Sequence, residues 1–415
     1  MSARHLPVRP DLTQLKHQAK ELLTALHANA PEALADLRDF HPESARLNPT
    51  KVQLSDAQLT LARAYGVPSW PRLVLACELI DAIWRGDLDA VRGLIEKHPS
   101  LLTENARGTA QCNWGRALSY AANVGQDELV KMLIGFGADD IQYAFERACL
   151  RSKLDTARLL YSLGARPQPG SVMGPCETLS AVGLALQLEL GAELVDEHGD
   201  RLAPLGLVLE TYSRNPEGKY ACLEIFAENG YDLPDTAIFA VHRGRLDLLK
   251  AVVQRDPGVL NQQFAHEEIY PPELGCHTDQ TLALCGTPLG GGTLLHLAVD
   301  NDSLEIATWL LENGADVNTP ATIDADGFGG HTALFGCVVS QPYRCRRNNV
   351  PMTQLLLDHG ADATIRANLR KALRGADDET LHKYFDVTPR TWGERFHDQD
   401  WVNPAVLALL TPASP

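Results

Sequence analysis

Apolar positions recur along this chain at spacings of three and four, the period that lines side chains along one face of a helix. Asp11 precedes such a stripe, made of Leu12, Leu15, Ala19, Leu22 and Leu23, and is placed to cap its helix. Ala33, Leu34 and Leu37 mark a second helix after Pro31. Ser55-Asp56-Ala57-Gln58 reads as a capping box for a third, ending near Gly66. Ser69 caps a fourth through Leu73, Leu75 and Leu79. Residues 1–76 are therefore expected to form a small helical cap.

From about residue 78 the pattern becomes self-similar. Apolar residues follow a reference alanine at offsets of eight, nine, twelve and thirteen. Ala82 is followed by Ala90, Val91, Leu94 and Ile95, and Ala121 by Leu129, Val130, Leu133 and Ile134. Ala240 and Ala298 repeat the pattern, the latter through Ile306, Ala307, Leu310 and Leu311; Ala148 carries a weaker copy. Gly86, Gly125 and Gly244 stand four residues after their alanines, where a tight inter-helix turn is needed. A small alanine lets two antiparallel helices approach closely. One such pair cannot bury its own apolar face, so several must stack. Gly137, Gly164, Gly191, Gly314 and Gly360 follow the second helices as left-handed C-caps. Asp326-Gly327, and Asp196 with Gly199, predict hairpin turns.

Thr293-Leu294-Leu295-His296-Leu297-Ala298 and Thr332-Ala333-Leu334-Phe335-Gly336-Cys337 resemble the T-P-L-H-x-A signature of the ankyrin repeat family, with Leu202-Ala203-Pro204-Leu205 as a degenerate third copy. The resemblance covers about residues 78–368, seven or eight repeats. It implies an all-α fold, an α-solenoid of helix-turn-helix units with short β-hairpin fingers. The expected domains are a helical cap at 1–76, the repeats at 77–368, and a C-terminal capping repeat at 369–415 that begins from Thr388-Pro389. Leu54-Ser55-Asp56-Ala57-Gln58 and Pro68-Ser69-Trp70-Pro71 resemble a helical leader found ahead of repeats in bacterial proteins. Departures from the family lie at 167–203, where most of one helix looks lost, and in three insertions, 213–219, 261–292 and 340–351. Long irregular loops in a compact fold are usually functional or disordered.

The formal charge of −16 opposes binding to nucleic-acid phosphates or anionic headgroups. Arg344, Arg346 and Arg347 are too few to reverse this. Nine cysteines, widely spaced and without a C-x-x-C pair, fit free thiols packed as small hydrophobes in a cytoplasmic protein. No segment has the apolar length of a signal peptide or a membrane span.

Candidate chemistry is thin. Gly286–Thr293 is glycine-rich but lacks the lysine of a phosphate-binding loop. His266-Glu267 begins like a zinc-binding H-E-x-x-H, but Tyr270 occupies the place of the second histidine. Asp324-Ala325-Asp326-Gly327 covers only the start of a calcium loop and equally suits a finger turn. The resemblance assigns His296 a structural role, tying neighbouring fingers. It also implies a concave binding face of finger tips and first helices, with Trp114, Arg116, Tyr143, Tyr270, Phe328 and His331 as candidate anchors. The expected function is thus a monomeric scaffold or adaptor that binds a protein or peptide, with no cofactor, metal or catalytic residue. The alternative is an enzyme or small-ligand protein, its pocket built from insertion 261–292 and finger 324–331 around His266, Glu268, Cys276, His277 and Asp326. In the scaffold reading the side chains of the insertion point singly into solvent.

Overall fold

The structure is a computed structural model that describes residues 4–109, 113–281, 284–339, 349–374 and 378–410. Two compact units make up the chain, residues 1–167 and 168–415.

In the first unit, Asp11 caps helix Leu12–His27 by accepting the backbone N–H groups of Thr13 and Gln14. Ser69 caps Trp70–Arg85 in the same way through Arg72. The third helix starts earlier than its sequence suggests, at Leu54; the Asp56 carboxylate reaches back to the N–H of Gln53, so Ser55 lies inside the first turn. Two apolar clusters close this end. One joins Leu22, Leu26, Leu37 and Leu61, and the other joins Leu6, Leu15, Val67, Leu73 and Cys77. Helix pairs then repeat through Leu154–Ser162. Ala82, Ala121 and Ala148 are buried, as the close helix approach demands. Gly86 and Gly125 end their helices at φ 67° and 80°.

The second unit keeps the same grammar. Residues 167–203 retain a helix pair, Met173–Thr178 and Ala181–Glu189, so the first helix is shortened rather than lost. Residues 213–219 form a loop and the opening turn of helix Pro216–Glu228, capped by Asn215. Helices Leu294–Asp300 and Leu304–Glu312 follow the signature, and Leu310 is fully buried, which fixes the repeat register. Of insertion 340–351, residues 340–348 lie outside the described residues, including Arg344, Arg346 and Arg347; Val350 begins the next helix. Strand β1 (Ala367–Lys371) pairs antiparallel with strand β2 (His382–Val387), with an irregularity between Ala367 and Leu369. Helices Pro389–Arg395, capped by Thr388, and Pro404–Leu409 complete the unit, with Trp392 buried among Tyr384 and Phe396. One continuous core runs from Val172 to Leu410.

Among the described residues the seven cysteines are buried, with Cys77, Cys176, Cys222, Cys276 and Cys285 free, and no helix is long and apolar enough to cross a membrane. Cys112 and Cys345 lie outside the described residues.

Candidate functional site

Insertion 261–292 is a built structure rather than a solvated loop. Phe264 and the glycine run pair through their backbones: the N–H of Phe264 donates to Gly292 and that of Gly291 to Phe264. Glu268 caps the short helix His266–Ile269 by accepting the N–H of Ala265 at 2.6 Å. Ile269 and Tyr270 are buried anchors, and His242 donates Nε2–H to the carbonyl of Ile269, because a carbonyl only accepts.

Two glycines then let the insertion lie directly on helix Ala203–Glu210. A Cβ on Gly206 would fall 2.2 Å from the carbonyl oxygen of Gly275, and Gly275 itself sits at φ +86° against the carbonyl of Leu202. Beyond that contact, the buried Glu210 carboxylate receives both the backbone N–H of His277, at 2.9 Å, and its Nδ1, at 2.6 Å. The ring of His266 closes the loop by donating Nε2–H to the carbonyl of His277.

The neighbouring finger is a hairpin at 321–331. Its tip follows the sequence reading: Asp324 accepts the N–H groups of Asp326 and Phe328, and Gly327 turns at φ +82°. The finger joins the insertion through the N–H of Thr322 on Gly291 and joins β1 through reciprocal bonds between Gly329 and Asn368. These three segments surround a cavity of about 510 Å³. The insertion contributes Phe264, His266, Glu267 and Glu268; the finger contributes Asp324, Phe328 and His331; β1 contributes Asn368 and Arg370. The Arg370 guanidinium lies 4.8 Å over the Phe328 ring and pairs with Asp324 and Asp326 at 2.8 and 2.7 Å.

Behind the cavity runs a histidine relay. Thr293 donates its backbone N–H to Nδ1 of His296, whose Nε2–H donates to the carbonyl of His331. His331 donates its own Nε2–H to the carbonyl of Pro288 at 2.8 Å. The role expected for His296 is therefore in place. Burial keeps both rings neutral, lowering His296 to about 3 and His331 to about 4.

These contacts revise several expectations. His331 is 1% exposed, because its ring is held by Pro288 and packed on His296 and Phe335. Tyr270 is buried against His242 and His266. Phe328 is buried under Arg370 and Phe385. Trp114 is buried beside Trp84 and under Arg147 and Arg151. Arg116 and Tyr143 stay at the surface, with Arg116 paired to Asp139 and the Tyr143 hydroxyl donating to Asn113. The side chains of the insertion do not point singly into solvent either, since His266, Glu268 and His331 line one cavity. Asp326 stands outside it, acting through Arg370, while Cys276 is packed in the core and His277 is turned toward Glu210. Within the cavity His266, Glu268, Asp324 and His331 each hold a backbone group, and Asp324 also pairs with Arg370. Among the described residues no cluster could hold a metal ion.

A second polar group escaped the sequence reading. Arg214 and Asp300 form a buried ion pair in which one guanidinium nitrogen donates to both carboxylate oxygens, and beside them Lys219 donates to the carbonyl of Leu209 and to Asn301. Burial lowers Lys219 to about 7. Its sequence signal was one lysine in the apolar setting of Tyr220, Cys222 and Leu223.

A family model for ankyrin repeats, in three copies, matches residues 213–367. No curated protein matches the chain.

Proposed function

The chain is an ankyrin-repeat protein, and from that premise we propose that it holds a partner protein on its last two fingers. Ankyrin repeats generally serve as protein–protein interaction modules. The observation carrying the proposal is the apolar exposure on these fingers. Ile323 is 63% exposed on one finger, and Phe385 is 55% exposed on β2 of the next. Phe385 packs on Phe328 at 5.5 Å, and the Gly329–Asn368 pairing holds the two fingers side by side. Large apolar side chains kept in water on a rigid support are what an interface uses as anchors. Within the first unit, Arg116 and Tyr143 are a separate candidate surface. The free thiols of Cys77, Cys176, Cys222, Cys276 and Cys285 support a cytoplasmic setting, and light scattering on the purified chain checks the monomeric state proposed with it.

A photo-reactive amino acid placed at 323 or 385 in cells is expected to trap the same discrete protein. The same probe at Leu163, an exposed leucine just beyond a second helix, is expected to trap none. Equal labelling from all three positions, or none from 323 and 385, refutes the finger surface.

A further inference from the structure

The cavity beneath the fingers poses a separate question, because its lining is unbalanced. Glu267, Glu268 and Asp324 bring three carboxylates against one guanidinium, that of Arg370. Arg370 offers no net charge to a ligand, since Asp324 and Asp326 both pair with it. The buried wall lacks something as well. His331 commits its proton on Nε2 to Pro288, which leaves Nδ1 as a bare acceptor, and that atom is buried with no hydrogen-bond partner. A buried acceptor left unmade is costly, so the group calls for a donor. Two aromatic rings, Phe264 and Phe328, complete the lining; Phe328 already carries the Arg370 guanidinium at 4.8 Å and the Lys383 ammonium at 5.8 Å, so Phe264 is the ring left to a ligand.

We propose that this cavity binds a small organic cation bearing N–H donors, an alkylammonium or alkylguanidinium. Negative charge at the rim attracts it, the Phe264 ring borders it, and Nδ1 of His331 accepts a hydrogen bond from one of its N–H groups. The volume of about 510 Å³ lies in the range of small-molecule sites. Arg370 shows the chemistry in miniature, a guanidinium held on the Phe328 ring between two aspartates. The site is independent of the finger surface, for it needs neither Ile323 nor Phe385.

Calorimetric titration of the full chain with agmatine tests the proposal, with its uncharged counterpart 4-acetamidobutylurea, in which a urea replaces the guanidinium and an amide the amine, as the neutral analogue, and a capped Arg-containing tripeptide as a second source of guanidinium. Saturable binding of agmatine is expected, at least about tenfold weaker in Glu267→Gln/Glu268→Gln, since two carboxylates at the rim are neutralised. Glutamine keeps an oxygen for the N–H of Ala265, so thermal melting of that variant should match the parent. Thr322→Arg, which sets a competing cation at the rim, should weaken binding again. Tighter binding of the tripeptide than of agmatine keeps the site and assigns its cation to a partner's basic side chain. Equal affinity for the neutral analogue, or undiminished affinity in both variants, overturns the proposal.

Discussion

At the scale of single residues, His296 and His331 have the clearest consequence. Each ring is neutral in the folded chain and titrates below the ordinary 6.5, at about 3 and about 4 respectively. The unfolded chain therefore takes up these protons first as pH falls. Their contribution to stability is fully present above about 6.5 and is lost as pH drops toward the folded values. For His331 the loss by pH 4 is on the order of 3 kcal/mol. Urea unfolding of the parent and of His331→Leu, compared between pH 7 and pH 4, checks this. The variant starts less stable, because Pro288 loses its donor, yet its stability should fall less steeply with acid. Parallel pH profiles contradict the assignment.

At the scale of elements, the insertion depends on a contact without side chains. Gly206 and Gly275 let the insertion approach helix Ala203–Glu210 so closely that a single methyl group would collide with a backbone carbonyl. Neither neighbour is a flexible side-chain end, so relief requires the insertion to move. Gly206→Ala is expected to cost about 1–3 kcal/mol, the range for overpacking a tight contact. The loss should be local. Hydrogen exchange should quicken at the amides of Phe264, Gly291 and His277, while those of helix Leu304–Glu312 keep their protection. Uniform loss of protection across the second unit contradicts a local role. The helices themselves were open to sequence reasoning because their determinants are local: Asp11, Ser69 and Thr388 cap the residues that follow them, and Gly86 and Gly125 stop the helices before them.

At the scale of the whole molecule, a repeat array exposes an apolar face wherever it is cut. Residues 1–69 supply Leu6, Leu15, Ala62 and Val67, which cover Leu73 and Cys77 of helix Trp70–Arg85. A chain beginning at Trp70 is expected to melt at lower temperature and to self-associate, as read by scanning calorimetry and light scattering. A monomer with unchanged melting shows that the leader protects nothing.

The sequence by itself determined the repeat. Ala82, Ala121 and Ala298 recur with fixed apolar offsets because each helix pair obeys one short-range geometry, and Leu310 is buried where that geometry puts it. It also located the walls of the cavity, the insertion and the finger, and placed His266, Glu268 and His331 among the residues of interest. Tertiary structure alone decided which of these side chains meet. Arg370 carries no motif and lies more than forty residues beyond Asp324, yet the pairing of Gly329 with Asn368 sets the two side by side. Tyr270 and His331 read as surface anchors because aromatic and imidazole groups suit an interface as well as a core. Their burial follows from what the insertion packs against, and periodicity along one segment holds no information about the surface of another.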